Sequence, residues 1–395
     1  MPAAETGTAR TNRPARIVVF GFDVAEISQI RRIRAMISLG HEVHSFTMRR
    51  ENMNLDFEPD WPNTHLYMTQ NESLGKRAAV VAKSIVKMTG HRQKLREADV
   101  IIARNLDMLA IAWAARALAG AGRVPLVYEC LDINGALCRD DAKGRAMRAA
   151  ERVLLNRIQM LVVSSPGFIN SYFEPAQGYD GDWALWENKV AGSALPDRPK
   201  VRPVLDGPIR LGWAGTIRCA PSLSILRDVA DRLGDRVEVH IHGVVHRHVL
   251  PDFDAVIAAH PNMIYHGPYD YPADLPKFYD TFDLVWAQDL WQRGNNSDWL
   301  LPNRIYEASW AGCPSVAVAG TETGRRVAAD KLGWAIPDAT AGDLEALLQS
   351  MTREDMRECG NDLLSRPDRD FVQSAEDIED VIQQVLRGTD RRHTA

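Results

Sequence analysis

Short apolar runs alternate with stretches of helical periodicity along most of this 395-residue chain. The first such unit has apolar runs at 17–20 and 42–46, with a helical pattern between them. That helix is indicated by isoleucines that share one face: Ile27, Ile30, Ile33 and Ile37. Continuous apolar strands that are joined by helices imply a parallel sheet with both faces covered. The chain is therefore predicted to be an α/β protein.

The alternation stops between residues 187 and 208, where four prolines occur among lysines and arginines. This composition is typical of a linker. A second strand and helix series begins at 209–213. Because a chain of 395 residues exceeds what one hydrophobic core usually serves, two α/β domains in tandem are predicted.

These patterns divide the chain into segments with predicted boundaries. We expect a disordered tail over 1–15, a Rossmann-like domain over 16–190, a linker over 191–208, a second Rossmann-like domain over 209–365, and a helix and tail over 366–395. Apolar residues at helical spacing, from Phe371 to Val385, predict that the last segment forms an amphipathic helix.

The composition indicates an ordinary globular protein, since 45% of the residues are hydrophobic, 25% are charged and the net charge is -5. No nucleic-acid partner is predicted. The five cysteines are scattered and show no C-x2-C spacing, which disfavours disulfides and zinc and favours a reducing cytosol. Residues 1–15 lack a signal-peptide core, and no apolar run approaches the length of about 20 residues that spans a membrane. The protein is predicted to be cytoplasmic.

One segment of the second domain carries the most specific pattern. Residues 302–307 read P-N-R-I-Y-E ahead of a predicted helix, and residues 311–316 read A-G-C-P-S-V. A helix N-terminus offers free N–H groups and a positive dipole end to a diphosphate. Arg304 can add a guanidinium that binds the same group in a bidentate manner. Glu307 lies one helical turn after Arg304, on the same face.

This segment resembles the donor-site signature of GT4-like glycosyltransferases with the GT-B fold. Residues 104–107 and 128–132 also resemble segments of transferases from exopolysaccharide biosynthesis of the succinoglycan type. The resemblance implies two Rossmann-like domains that face a cleft, the first binding the acceptor and the second binding the nucleotide-sugar donor. It also implies a C-terminal helix that crosses back to the N-terminal domain.

The resemblance assigns donor-binding residues, and Glu307 is expected to bind the ribose hydroxyls. The full set is Gly215, Arg218, Asn295, Asn296, Ser297, Asn303, Arg304 and Glu307. GT4 enzymes commonly carry a second glutamate eight residues before the position of Glu307, where this chain has Trp299. The group that contacts the sugar is therefore open, and Asn295, Asn296, Ser297 and Asp298 are considered as substitutes.

Three carboxylates follow strands of the first domain and are candidates for the catalytic base. Asp132 is preferred, with Glu129 and Asp107 behind it, because open α/β sheets bind ligands at the carboxyl ends of their strands. For each one, a helix cap or a loop-stabilising contact is the alternative. Asp23 and Glu26 predict a start of the first helix that resembles a capping box.

The predicted activity is transfer of a hexose from a nucleotide sugar, chosen as a UDP-sugar, to a saccharide or lipid-linked saccharide in surface polysaccharide biosynthesis. No convincing D-x-D follows a strand, so catalysis without a metal site or cofactor is predicted. Retention and inversion both stay open. The alternatives are an epimerase or hydrolase with the GT-B shape and a non-catalytic protein that binds sugar nucleotides.

Residues 74–96 contain seven Lys or Arg residues and no acidic residue, interleaved with apolar residues. A basic amphipathic helix of this kind can bind an anionic membrane surface. The alternative is a solvated basic face on a helix whose other side is buried. The first interpretation places the protein at the inner face of the plasma membrane.

Overall fold

The computed structural model describes residues 14–51, 55–69, 74–192 and 195–393. Most of the predicted 1–15 tail and the last two residues of the chain lie outside these ranges. Contacts divide the chain into two compact units. The first unit runs to Glu129 and includes Val153–Leu161 and the chain from Ala375 onward, and the second consists of Cys130–Arg152 and Val162–Ser374.

The strands form two main sheets and one small one. They are β1 (Arg16–Gly21), β2 (Glu42–Arg50), β3 (Asn63–Thr69), β4 (Val100–Arg104), β5 (Leu126–Cys130), β6 (Met160–Val163), β7 (Trp183–Leu185), β8 (Val190–Ala191), β9 (Ile209–Ile217), β10 (Val237–Val245), β11 (Met263–Gly267), β12 (Leu284–Trp286), β13 (Ser315–Val318), β14 (Gly333–Ile336) and β15 (Val372–Gln373).

The helices occupy the intervals between these strands. They are α1 (Ile27–Ser38), α2 (Leu74–Met88), α3 (Arg92–Glu97), α4 (Leu106–Leu118), α5 (Ala142–Leu155), α6 (Pro166–Phe168), α7 (Glu174–Gln177), α8 (Ala220–Leu233), α9 (Phe253–Ala259), α10 (Leu275–Tyr279), α11 (Asn296–Trp299), α12 (Asn303–Trp310), α13 (Glu322–Ala329), α14 (Ala341–Ser350), α15 (Arg353–Ser365) and α16 (Ala375–His393). Within the described part of the chain, none of the helices is long and apolar enough to cross a membrane.

Both main sheets have the strand order of a doubly wound fold. The first runs β3-β2-β1-β4-β5-β6-β7 and the second runs β11-β10-β9-β12-β13-β14. The five strand pairs of the second sheet are all parallel, as are the pairs among β1 to β5. The chain reverses its direction of winding between β1 and β4 and again between β9 and β12. Ligands of such sheets bind outside the carboxyl ends of the strands at these points.

Helix α1 begins differently from the prediction. Its N-cap is Glu26, whose carboxylate accepts hydrogen bonds from the amides of Ser28 and Gln29. Asp23 instead accepts from the amide of Ala25 before the helix starts, so the capping role predicted for Asp23 was wrong. The glutamate reaches the first-turn amides itself and needs no partner three residues earlier.

The terminal helix α16 belongs to the first unit. It packs against α1, and the Glu379 carboxylate lies 2.7 Å from Nε2 of His41. Ile378, Ile382 and Val385 are buried along one side of α16, as the helical spacing requires. In the second unit, β8 pairs with β15 in a small parallel sheet, so the predicted linker begins with a short strand.

Candidate functional site

Arg304 lies at the point where the winding of the second sheet reverses. Its Nη1 donates to the carbonyl oxygen of Trp286, the last residue of β12, at 3.2 Å. A Cβ atom built on Gly215 of β9 would lie 3.6 Å from its Nη2. Helix α12, which carries Arg304 in its first turn, therefore places the guanidinium beside the carboxyl ends of the two central strands.

This arrangement leaves hydrogen-bond donors free for a ligand. Nε of Arg304 is buried and has no partner, and Pro302, the N-cap of α12, provides no side-chain cap. An unmade hydrogen bond of a buried donor costs about 1–3 kcal/mol, and more when the donor is charged. A bound anion would remove this cost, and the dipole of α12 favours negative charge at the same end.

The next turn of α12 adds a carboxylate, and α10 adds a phenol. Glu307 is buried, and Tyr279 is completely buried with a hydroxyl that has no hydrogen-bond partner. The pKa of Tyr279 is raised well above its usual value, mainly by burial and next by the negative charge of Glu307. This hydroxyl therefore stays a neutral donor. Tyr279 is not among the predicted site residues, because its apolar neighbours in the sequence are typical of a core residue.

Two glycines bring the backbones of β9 and β10 together at the same edge. Gly215 and Gly243 have φ values of +113° and +133°, in the region that L side chains rarely adopt. A Cβ on Gly243 would lie 1.8 Å from the carbonyl oxygen of Gly215. Arg218, which follows β9, is exposed, and its guanidinium lies 5.2 Å from the ring centre of Trp291.

The segment 295–299 is held by internal hydrogen bonds. The Asn296 amide accepts from the backbone N–H of Ile133 at 2.7 Å and donates to Oδ1 of Asp132 at 3.0 Å. The Ser297 hydroxyl donates to Asp289 at 2.6 Å and accepts from the amide of Gln292. These contacts favour a positioning role for Asn296 and Ser297. A direct contact of Asn296 or Ser297 with the donor remains a prediction. The same holds for Asn295 and Asn303, which are half-buried.

Trp299 packs at the position where the family commonly has a glutamate. Its ring stacks on Tyr172 with ring centres 6.4 Å apart, and its carbonyl oxygen accepts from the hydroxyl of Ser165. The chain therefore places an aromatic surface, and not a carboxylate, at this position.

The three candidate bases have different environments. Asp132 is exposed in the loop after β5, and its Oδ1 accepts a hydrogen bond from the side chain of Asn296. Asp107, in the first turn of α4, pairs with Arg77 at 2.6 Å. Glu129 is only 1% exposed. The exposure of Asp132 leaves it as the candidate that an acceptor can reach.

Glu129 belongs to a buried charge network at the carboxyl edge of the first sheet. It pairs with Arg104 at 2.8 Å and with Arg32 at 2.6 Å, and Arg104 also pairs with Glu26 at 2.9 Å. Burial lowers the pKa of Arg32 to about 10, although Glu129 opposes this shift. Burial alone would raise the pKa of Glu26, but Arg104 and the Ser28 hydroxyl bring it below its usual value. These contacts favour a structural role for Glu129 over the catalytic one that the sequence suggested.

Among the residues that the structure describes, no group of three or more His, Cys, Asp or Glu side chains could hold a metal ion.

Comparisons with known proteins agree on the fold. HepE from Anabaena, solved in complex with UDP and glucose, aligns with a TM-score of 0.63 at 16% identity, covering 94% of this chain and 99% of its own. WaaG, a glycosyltransferase involved in lipopolysaccharide biosynthesis, aligns with a TM-score of 0.57 at 14% identity, covering 95% of this chain and 98% of its own. The fold, with the cation at the edge of its second sheet, is that of the GT-B glycosyltransferases.

A sequence relative narrows the assignment further. No family model matches the chain. The succinoglycan biosynthesis protein ExoL of Rhizobium meliloti (strain 1021) is 34% identical over 342 residues, which cover 85% of each chain. The chain belongs to the family of this succinoglycan biosynthesis protein, and its fold is the one found in GT-B glycosyltransferases.

Proposed function

We propose that this protein transfers a hexose from a UDP-sugar to a saccharide or lipid-linked saccharide acceptor, with the donor diphosphate bound at Arg304. The observation that carries the proposal is the position of this guanidinium beside β9 and β12, with its Nε buried and unpartnered. HepE, which shares the fold, was solved with UDP and glucose.

The chemistry breaks the bond between the anomeric carbon and the diphosphate oxygen, and the electron pair stays with the diphosphate. Arg304 and the N-terminus of α12 stabilise that developing charge. The acceptor oxygen forms the new bond to the anomeric carbon, and its proton passes to a base, for which we propose Asp132. Because Arg304 supplies the neutralising charge, we propose that transfer requires neither a divalent cation nor a cofactor. Unchanged turnover in EDTA would agree with this, and its loss and recovery with Mg²⁺ would contradict it.

Donor binding can be tested by thermal unfolding with UDP, GDP and ADP. A ligand at 100 times its Kd stabilises the folded state by about 2.7 kcal/mol. We expect UDP to raise the Tm of the natural protein and to have little effect on Arg304→Met. Arg247→Met is the matched control, since Arg247 is exposed and pairs only with Asp254 within the described chain. If no nucleotide raises the Tm, the donor proposal fails.

Transfer can be separated from the alternative activities by incubating the enzyme with donor alone. An epimerase or a hydrolase would release an epimer or free sugar without any acceptor, whereas a binding protein would return the donor unchanged under all conditions. We expect rapid loss of donor only when acceptor is present. Membership of the ExoL family favours this outcome.

We further propose that the protein binds the inner face of the plasma membrane through the basic segment 74–96. Three of its cations have internal partners, since Arg77 pairs with Asp107, while Lys87 and Arg96 donate to backbone carbonyls. Three others are exposed: Lys83, Arg92 and Lys94. Val86, on α2 between the first two, is 70% exposed and could enter the headgroup region.

Each cation near an anionic surface contributes about 1 kcal/mol, so three contribute about 3 kcal/mol at most. The triple variant Lys83→Glu/Arg92→Glu/Lys94→Glu should sediment with phosphatidylglycerol vesicles far less than the natural protein. The control variant reverses three exposed cations of the second unit and has the same net charge. It is Lys200→Glu/Arg236→Glu/Arg247→Glu. Equal sedimentation of both variants would contradict the membrane proposal.

A further inference from the structure

The second unit contains a cavity of about 370 Å³ whose lining includes one predicted donor-binding residue, Asn295, but not Arg304. Its volume is at the lower end of the range of about 300–1,000 Å³ that is usual for small-molecule sites. The residues that line it combine aromatic, apolar and polar side chains: Leu137, Cys138, Asp140, Arg148, Ser171, Tyr172, Ala176, Asn295 and Trp299. All of them belong to the second unit.

The aromatic wall of this cavity is rigid. The Tyr172 hydroxyl donates to Glu151, a completely buried carboxylate that also accepts from Nε2 of Gln177 at 2.6 Å. Trp299 stacks on Tyr172, and its backbone packs closely on Gly167, where a Cβ would lie 2.4 Å from the Trp299 carbonyl oxygen. A wall that is fixed before binding loses little entropy when a ligand arrives.

Another part of the lining is fixed by Arg148. Its Nη1 donates to the carbonyl oxygens of Leu137 at 2.6 Å and Arg139 at 2.7 Å, which holds the turn that carries Leu137 and Cys138. Asp140, Ser171 and Asn295 add a carboxylate, a hydroxyl and an amide to the lining. These groups supply both donors and acceptors within one small volume.

We propose that this cavity binds a pyranose ring of the acceptor saccharide. A pyranose has a face of C–H groups that packs on an aromatic ring, and an edge of hydroxyls that both donate and accept hydrogen bonds. The aromatic wall and the polar lining match these two parts. A phosphate or a nucleotide fits less well, because the Asp140 carboxylate repels an anion and Arg148 is the one cation in the lining.

The cavity also lies beside the proposed base, and in this respect the inference rests on the proposed function. Asn295 and Trp299 flank Asn296, whose amide holds Asp132, and Leu137 continues the loop that carries Asp132. A saccharide seated in the cavity is therefore held next to the group that takes the proton of its hydroxyl.

Cys138 gives a direct readout of occupancy. It lines the cavity and is partly exposed, and burial raises the pKa of its thiol, so alkylation is slow and can be followed at pH 8.5. We expect maltose, cellobiose or lactose to slow iodoacetamide labelling of Cys138 in a saturable way, at least about fivefold, as measured by mass spectrometry. Cys359, which is also partly exposed but lies outside the lining, should label at an unchanged rate.

A pair of neighbouring substitutions tests the location. Ser171→Trp fills the cavity and should abolish the protection of Cys138, whereas Asn170→Trp adds the same bulk to an exposed position outside the lining and should preserve it. Absence of protection by all three disaccharides, or equal protection in both variants, would overturn the saccharide site. The same samples are tested with UDP. Stabilisation by UDP without saccharide protection rejects the cavity but not the donor site, whereas loss of the UDP effect rejects the donor proposal whatever Cys138 does.

Discussion

The two main sheets share one strand order, but they place different chemistry at their carboxyl edges. In the first unit, Arg104 and Arg32 are paired with Glu26 and Glu129, so two positive and two negative charges neutralise each other. In the second unit, Arg304 donates to a backbone carbonyl, and its buried Nε has no hydrogen-bond partner. The same backbone pattern thus gives one edge with matched charges and one edge with a guanidinium whose Nε makes no hydrogen bond.

This difference separates the contribution of the fold from that of the side chains. The reversal of winding creates a crevice in both sheets. The crevice becomes an anion site only where the positive charge is not already neutralised by the protein. Buried ion pairs carry a large desolvation cost, so a matched network stabilises mainly by avoiding unpaired charges.

The largest expected effect comes from breaking the network of the first unit. Arg104→Met leaves Glu129, which is 1% exposed, with Arg32 as its one remaining partner in the network. Removing one partner of a buried pair costs about 3–5 kcal/mol. We expect a loss of this size in the free energy of unfolding measured with urea, while the added stability from UDP stays the same.

Arg34→Met is the matched control, since the pair of Arg34 and Asp60 is exposed, with 49% and 60% of the two side chains accessible. A surface pair contributes about 0–1 kcal/mol. Similar losses in both variants would show that burial does not distinguish the two pairs.

Arg304→Met should have a large effect on catalysis and a small effect on stability, the reverse of Arg104→Met. Removing one donor that stabilises transition-state charge lowers the rate by about 10²–10³. We expect kcat/KM for the donor to fall by this factor, while the free energy of unfolding falls by about 1 kcal/mol at most, because the lost hydrogen bond to Trp286 is offset by removal of a buried N–H without a partner. Arg304→Lys keeps the charge but loses the planar guanidinium. Its kcat/KM should lie between those of the natural protein and Arg304→Met. A large loss of stability in Arg304→Met would assign Arg304 the same structural role as Arg104.

The approach of β9 and β10 can be tested with two glycines. Gly243 and Gly267 both have positive φ, but only a Cβ on Gly243 would meet the Gly215 carbonyl, at 1.8 Å. Backbone strain costs about 1–3 kcal/mol in either alanine variant. We expect Gly243→Ala to lose more stability than Gly267→Ala in urea unfolding, and to weaken UDP binding as well. Equal losses, with UDP binding preserved in both, would show that the close approach does not shape the site.

The parts of this structure that the sequence predicted depend on local patterns. The alternation of apolar strands and helices is a property of neighbouring residues, and it correctly predicted two parallel sheets. The spacing of Arg304 and Glu307 is also local, and both lie on α12 as expected.

The parts that could not be predicted depend on contacts between distant positions. Asn296 holds Asp132 from 164 positions away, and the hydroxyl of Ser165 reaches Trp299 over 134 positions. No periodicity links such residues. Glu129 lies near the carboxyl end of a strand, as a ligand-binding residue would, and its burial between two arginines becomes visible only when β4 and α1 are packed beside β5.

The smallest expected effect is the change of stability with pH that one histidine of each unit causes. Burial lowers the pKa of His44 in β2 and of His242 in β10 to about 4, with further contributions from Lys94 and His266 respectively. In the unfolded chain both titrate near the ordinary value of 6.5. The unfolded state therefore binds more protons between these values, so the contribution of each neutral histidine is complete above pH 6.5 and is lost as the pH falls towards 4.

For each histidine, on the order of 1 kcal/mol of stability should be lost between pH 7 and pH 5, since both side chains are only partly buried. His44→Gln and His242→Gln should each reduce that loss in urea unfolding at the two pH values, and the double variant should reduce it by the sum. The stability that UDP adds should fall at acid pH in the natural protein and in His44→Gln, but not in His242→Gln. The reason is that β10 borders the donor site, whereas β2 belongs to the other unit. An equal effect of both histidines on UDP binding would contradict the separation of the two edges.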